Sequence, residues 1–306
     1  MGPLHYNIAL AVANILFGVS FSAYVSLLHL TLSAQQLFAL QLVVSGIIFI
    51  PAAITHRNFL RLTLEDFGSI FIVALLVIFG WWYMLLSGAA YTNPIDASIL
   101  STLGPILTLL TAIIVKQRRV KRGEVAGFII AFIGVAVLLF NRGNALIGEG
   151  GEGYGNALVL CAVFAIAINT VLISPILRRY GTIVVMGWYY IVGILLAMPI
   201  LFSELPTIEW ASFNTFERSE LCYILLLGTA LPMYLLYVGS EHLSSTHTAL
   251  YRYLQPIVAT VLAIIRKQSC IDQANIVGAT LIFLGMISIL ATTRVKSSPR
   301  HALRRR

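Results

Sequence analysis

The segment TALYRYLQP, residues 248–256, places an arginine inside an otherwise apolar stretch. Arg252 is the one full charge between Thr246 and Ile265. A guanidinium offers five N–H donors in a planar fork that matches a carboxylate, so a sequestered arginine is a candidate anion-binding group. Arg252 also lies only about six residues, roughly 9 Å of helix, inside its stretch. Its long side chain could therefore extend to the nearer polar end instead, and both interpretations stay open.

Two prolines mark related positions in two apolar stretches. Pro256 follows Arg252 by four residues, and Pro105 follows Ser101 by four residues. A proline has no N–H, so in a helix the carbonyl four residues earlier loses its hydrogen-bond partner. The two freed carbonyls would belong to Ser101 and Arg252. We predict that both breaks line a shared polar interior and take part in gating, although the prolines could simply kink their helices.

Other polar and aromatic residues lie well inside apolar stretches. Buried amides such as Asn14 and Asn169 bond a neighbouring helix more often than a ligand. Glu241, at the end of a stripe formed with Tyr234 and Tyr237, is the expected partner of Arg252 unless it is a solvated loop residue. The predicted substrate-binding residues are Arg252, Ser101, Tyr83, Tyr234, Tyr237, Tyr253, Gln255, Asn14 and Asn169, and the predicted gating residues are Glu241, Pro105 and Pro256.

The elements that would position these residues are membrane helices. The 306-residue chain is 59% hydrophobic and only 10% charged, too few polar residues to cover a soluble protein. It contains ten apolar stretches of 18 to 24 residues, and about 20 residues of helix cross a bilayer core. The stretches are 6–28, 34–54, 67–90, 94–115, 123–140, 157–174, 182–202, 221–240, 246–265 and 273–292. The predicted fold class is an all-α membrane protein of ten transmembrane helices.

The basic residues indicate an orientation. If the N-terminus is cytoplasmic, fifteen of the twenty Lys and Arg residues fall on the cytoplasmic side and four on the other. Cytoplasmic loops carry an excess of basic residues. We therefore predict a multi-pass protein of the bacterial inner membrane with both termini in the cytoplasm. The net charge of +8 does not indicate a nucleic-acid partner, because the orientation in the membrane accounts for the distribution of the basic residues.

An internal repeat divides the chain. At an offset of 151 residues, LGPILTLLTAIIVKQ (103–117) aligns with LQPIVATVLAIIRKQ (254–268), and Gly127 and Gly134 align with Gly278 and Gly285. Five helices per copy is an odd number, so the second copy would be inverted in the membrane, as in many transporters. We predict an N-terminal five-helix repeat over 1–143, a Gly-rich linker over 144–156, a C-terminal repeat over 157–293 and a basic cytoplasmic tail over 294–306.

The ten-helix, five-plus-five layout resembles the EamA-type family of the drug/metabolite transporter superfamily over nearly the whole chain. The motifs that carry the resemblance are LFGVSF (16–21), IAINTVL (166–172) and the two Pro-containing stretches. It implies export or exchange of small organic metabolites across the inner membrane. Many members have acidic residues where this chain has Gln117, Gln255 and Gln268, so carboxylate-dependent coupling is not implied.

The expected function is alternating-access transport of a small metabolite such as an amino acid, with the lipid bilayer as surroundings. A nucleotide-sugar or organophosphate exchanger, or a non-transporting membrane partner, remains an alternative. No enzyme activity, cofactor or metal is expected, since the closest histidine pair, His242 and His247, has poor ligand spacing. The oligomeric state is left open.

Overall fold

The computed structural model describes residues 3–92, 94–115, 121–141, 151–243, 245–267 and 272–294, and these fold into helices and short connections without a β-strand. We number the helices in chain order: α1 Pro3–Leu30, α2 Ala34–Ile54, α3 Leu64–Ala89, α4 Pro94–Ser101 with Gly104–Val115, α5 Arg122–Asn141, α6 Glu152–Tyr180, α7 Thr182–Glu204, α8 Thr215–His242, α9 Ser245–Leu250 continuing through Ile265, and α10 Gln273–Arg294.

Eight of these helices are long and apolar enough to cross a membrane: α1 to α4 and α6 to α9. This confirms an all-helical, multi-pass membrane protein for the described residues. Helix α10 is apolar over Gln273–Ile289. Helix α6 begins at Glu152, inside the predicted linker 144–156. Residues 144–150 of that linker and 295–306 of the predicted tail lie outside the described residues.

Four helices contain irregular segments. Helix α4 is interrupted at residues 102–103, just before Pro105, and α9 tightens into a 3₁₀ turn over Tyr251–Tyr253, just before Pro256. These breaks follow from the missing proline N–H. Helices α3 and α8 each widen into a π-helix, over Leu75–Tyr83 and Tyr223–Ala230. One turn of π-helix shifts the side-chain phase of everything that follows it.

The helices pack in pairs that connect the first five with the last five. The most extensive contacts join α5 with α10 and α2 with α7. Helix α1 packs against α8 and α9, while α6 packs against α3 and α4. If each helix is replaced by the one five places away, the α1–α8 and α1–α9 contacts become the α6–α3 and α6–α4 contacts.

The α5–α10 interface depends on glycines that allow backbone-to-backbone contact. A Cβ placed on Gly127 would lie 2.5 Å from the carbonyl oxygen of Gly285, and one placed on Gly134 would lie 2.7 Å from that of Gly278. Small residues of this kind let membrane helices approach closely. The two contacts are related by the repeat offset of 151 residues: Gly127 corresponds to Gly278, and Gly285 corresponds to Gly134.

Candidate functional site

A closed cavity, here called the central chamber, lies between α1, α3, α4, α6 and α9. Five of its eleven lining residues are aromatic, and Ser101, Arg252 and Gln255 supply polar side chains. The chamber leaves about 20 Å³ for the centres of water-sized molecules, which is enough for about one water. The helices must therefore move before a metabolite can enter. The aromatic residues are Phe17, Phe21, Tyr24, Trp81 and Trp82.

Arg252 is held inside the bundle. It is 6% exposed, and one terminal nitrogen donates to the Thr170 hydroxyl at 3.2 Å, while its Nε–H is buried without a partner. Among the described residues no carboxylate pairs with it. Its stem lies against the break in α4, where a Cβ on Gly104 would come within 3.2 Å of the Arg252 Cδ. The side chain thus points to the chamber and not to a polar end of α9.

The 3₁₀ turn explains why Arg252 and Gln255 share a side. With three residues per turn, side chains at i and i+3 are aligned. The Gln255 amide donates to the Asn14 carbonyl oxygen at 2.7 Å, and Asn14 donates in turn to the backbone oxygen of Leu10 at 2.7 Å. The Ser101 hydroxyl bonds the Ala97 carbonyl at 2.8 Å. The predicted residues Asn14, Ser101, Arg252 and Gln255 are therefore brought together across α1, α4 and α9.

A second polar group lies beside Thr170 on α6. The Asn169 amide donates to the Tyr237 hydroxyl at 3.3 Å, and the Tyr237 ring packs edge-on against Tyr189. The Asn169 carbonyl oxygen and the hydroxyls of Tyr189 and Tyr190 are buried without a partner. Buried polar groups normally have a hydrogen-bond partner. These three atoms and the Arg252 Nε–H have none, which suits a region that contacts a polar ligand or water in another conformation. Sequence patterns gave no signal for Tyr189 and Tyr190 beyond their aromatic character.

An open cavity of about 300 Å³ lies at the end of the bundle where α1 and α7 begin. We call it the vestibule. Its wall includes Tyr6, His56, Tyr234, Glu241 and His242. Tyr234 stacks on Phe49, which stacks on Tyr190. This row of aromatic rings continues from Tyr190 through Tyr189 to Tyr237, whose hydroxyl accepts from Asn169.

The expected contact between Glu241 and Arg252 needs correction. The Glu241 carboxylate accepts hydrogen bonds from the Thr182 backbone N–H at 3.0 Å and from the Thr182 hydroxyl at 2.8 Å. It therefore satisfies a free N–H at the start of α7, where a negative charge also complements the helix dipole. A gating role for Glu241 remains a prediction, but Arg252 is not its partner in this conformation.

We expect Glu241→Ala to act mainly on stability. Loss of the bonds to Thr182 should lower the free energy of unfolding by about 1 kcal/mol, as for other helix caps. The melting temperature of the purified protein in detergent should fall by a few degrees, with most transport activity retained. Glu65→Ala, which removes an exposed carboxylate from the first turn of α3, is the matched control. Loss of transport by Glu241→Ala at an unchanged melting temperature would instead support a gating role for Glu241.

Two predicted tyrosines lie away from the chamber. The Tyr83 hydroxyl accepts from the Gln35 amide at 3.3 Å, and the Tyr253 ring faces Phe283 of α10. Trp81 and Trp82, which were not among the predicted site residues, line the chamber instead. For α3 the physical reason is the π-helix Leu75–Tyr83, which contains Trp81, Trp82 and Tyr83 and whose wider turns change the direction of successive side chains. A helical-wheel argument with a constant period cannot detect that shift.

No metal site is apparent in the ranges that the structure describes, since no group of three or more His, Cys, Asp and Glu side chains converges there. Arg266 and Glu220, and Arg179 and Asp66, form ion pairs near the helix ends. The polar groups at the central chamber are one guanidinium, one amide and the hydroxyls of Ser101 and Tyr24, beside the aromatic rings.

Comparisons with known proteins identify the family of the chain. The model of the EamA-like transporter family matches residues 5–140 and again 153–291. An uncharacterized transporter, YetK of Bacillus subtilis, is 21% identical over 81% of this chain and 72% of its own length. An uncharacterized transporter of Clostridium kluyveri is 24% identical over 82% of each chain. Protein PecM of Dickeya dadantii is 24% identical over 69% of each chain.

A solved crystal structure has the same fold. It superposes with a TM-score of 0.65 over 95% of this chain and 99% of its own, at 20% sequence identity. The family match spans most of the chain in two copies, which lie on either side of the segment between α5 and α6. The chain belongs to the EamA-like transporter family, within the drug/metabolite transporter superfamily.

Proposed function

We propose that this membrane transporter carries small organic carboxylates, such as amino acids, by alternating access between two inverted five-helix repeats. The observation that carries the proposal is the buried Arg252 guanidinium, with an unpaired Nε–H, on the wall of a closed aromatic chamber. A buried charge without a counter-ion is costly. Such a group is retained in a membrane protein when a substrate or ion pathway uses it.

The contact pattern supports the inverted repeat. If residues 1–143 and 157–293 are related by a two-fold axis, each contact between the halves must occur a second time, with the equivalent helix of the other half in each position. The α1–α8 and α1–α9 contacts have such mates in α6–α3 and α6–α4, and the paired glycine contacts of α5 and α10 exchange at an offset of 151. The same relation implies that α5 and α10 also cross the membrane, which makes ten spans.

The interrupted helices support a binding site at the point where the halves meet. Transporters with inverted repeats bind substrates at discontinuous helices near the bilayer midplane. Here the α4 break and the α9 turn contact each other through Gly104 and Arg252. By the basic-residue bias the vestibule faces the cytoplasm, in keeping with a bacterial inner-membrane protein whose termini are cytoplasmic.

The chamber chemistry favours a carboxylate over a phosphate. Arg252 is the one Lys or Arg buried among the described residues, and a single guanidinium offsets the charge of a carboxylate but not that of a phosphate monoester or diphosphate. The aromatic walls suit an apolar substrate body. The unpaired Asn169 oxygen and the nearby tyrosines suit an ammonium group. A non-transporting partner would have no need of these unpaired groups.

The test is ligand-induced stabilisation followed by transport. Purified protein in detergent would be heated with amino acids, aromatic carboxylates, organic cations and sugar phosphates. Compounds that raise the melting temperature would then be assayed for counterflow in proteoliposomes. We expect carboxylates to stabilise the protein and to exchange. Stabilisation and counterflow by organic cations or sugar phosphates alone would contradict the proposed substrate class.

A further inference from the structure

A buried polar cluster lies at the end of the bundle opposite the vestibule. It consists of Thr92, Asp96, Asn156 and Asn275, each 3% exposed or less, and is here called the far-side cluster. Asn156 belongs to the second turn of α6, whose other end borders the vestibule at Tyr180, about 36 Å away at 1.5 Å per residue. The cluster and the vestibule therefore lie near opposite membrane faces.

The hydrogen bonds of this cluster cross between the two halves. The Asn156 amide donates to Oδ2 of Asp96 at 3.3 Å, and the Asn275 amide donates to Oδ1 of the same carboxylate. The Thr92 hydroxyl donates to the Asn156 carbonyl oxygen. Thr92 and Asp96 belong to the first half of the chain, while Asn156 and Asn275 belong to the second. Asp96 thus accepts from two helices of the other half, in addition to lying in the first turn of its own helix.

Beside the cluster the backbones of α3 and α6 touch. A Cβ on Gly155 would lie 2.8 Å from the carbonyl oxygen of Gly88 and 2.9 Å from the Thr92 nitrogen. No side chain can occupy this contact, and the gap is too narrow for water. At this end α3 and α6 are therefore joined by direct backbone packing, beside a buried hydrogen-bond network that links the two halves.

We propose that the far-side cluster is the latch of the membrane face opposite the vestibule, and that the Asp96 carboxylate holds it shut. The proposal rests on the alternating-access function, in which these contacts between halves must break before the chamber opens to that face. A carboxylate has two acceptor oxygens for the two amide donors, whereas an asparagine has one. Asp96→Asn therefore leaves one buried amide without an acceptor and weakens the closed state.

The first test measures side-specific access to the chamber. Ser101→Cys serves as the reporter in a protein whose native Cys161, Cys222 and Cys270 are replaced by alanine. A membrane-impermeant thiol reagent is applied to one face at a time, in intact cells and in inverted vesicles. Asp96→Asn should raise the labelling rate at least ten-fold from the far face and should not raise it from the vestibule face. Asp66→Asn, which removes an ion-paired carboxylate at the vestibule end, should leave the far-face rate unchanged.

The second test closes the latch covalently, so it does not depend on a weakened fold. In the same reporter protein, Thr92→Cys and Asn156→Cys are combined and oxidised to a disulfide. We expect labelling from the far face to fall at least ten-fold and to recover on reduction. The latch would be overturned if the far-face labelling rate were unchanged in both Asp96→Asn and the disulfide-linked protein. It would also be overturned if Asp96→Asn raised the labelling rate equally from both faces. Labelling requires no substrate, so these outcomes are independent of whether a carboxylate is transported.

Discussion

Arg252→Ala should abolish transport while leaving the protein at least as stable as the wild type. Truncating one partner of a buried charge pair costs about 2–5 kcal/mol, so substrate affinity should fall at least about thirty-fold, at about 1.4 kcal/mol per ten-fold. Stability should not fall, because Arg252 has no counter-ion among the described residues and burying such a charge is itself unfavourable. Substrate affinity is measured by ligand titration, transport by counterflow, and stability by a melting curve in detergent.

Two further variants sharpen this test. Arg252→Lys retains the positive charge but loses the fork that binds a carboxylate in bidentate fashion, so transport should remain at least ten-fold below wild type. Arg218→Ala, which removes an exposed arginine near the start of α8, is the matched control and should transport normally. Near-normal transport by Arg252→Ala would mean that the side chain does not contact the substrate.

Gly127→Leu should have the largest effect on stability. The new side chain would collide with the Gly285 carbonyl and with Ile289, since even a Cβ lies 2.5 Å and 2.6 Å from their nearest atoms. Helices α5 and α10 would have to separate, at a cost of about 3 kcal/mol or more. We expect a large fall in melting temperature and in the yield of folded protein, measured by size-exclusion chromatography after heating.

Gly68→Leu is the matched control, because a Cβ at Gly68 meets no atom within 4 Å. The same substitution at Gly134 should be about as harmful as that at Gly127, because the contact with Gly278 is the mate of the contact with Gly285. A Gly127→Leu protein that melts at the wild-type temperature would contradict the close packing of α5 and α10. Clearly unequal effects at Gly127 and Gly134 would argue against the two-fold relation between the repeats.

The central chamber and the vestibule are separated in this conformation. About 20 Å³ of free space around Arg252 contrasts with about 300 Å³ in the vestibule. Tyr234 borders the vestibule and stacks on Phe49, which stacks on Tyr190, and none of these three rings lines the chamber. Packed cores switch between discrete arrangements and do not deform continuously. Repacking of these rings is therefore the expected step that admits a substrate from the vestibule.

The sequence alone determined the features that depend on local chemistry. Length and hydropathy set the membrane helices, because a bilayer core needs about 20 apolar residues per crossing. Pro105 and Pro256 set the positions at which α4 and α9 depart from regular helix, because a missing N–H acts within its own turn. The five-plus-five layout and the motifs of the two Pro-containing stretches were enough to indicate the transporter family, while a substrate contact of Arg252 stays a prediction.

Only the tertiary structure decided the features that depend on neighbouring helices. Within the π-helix of α3, Trp81 and Trp82 face the chamber and Tyr83 bonds Gln35, because the wider turns of a π-helix change the direction of successive side chains. Glu241 found its partner at the start of α7 and not on α9. Asp96 lies in the first turn of α4, but its burial between Asn156 and Asn275 depends on residues 60 and 179 positions away. Such contacts arise from how helices pack, which local periodicity does not encode.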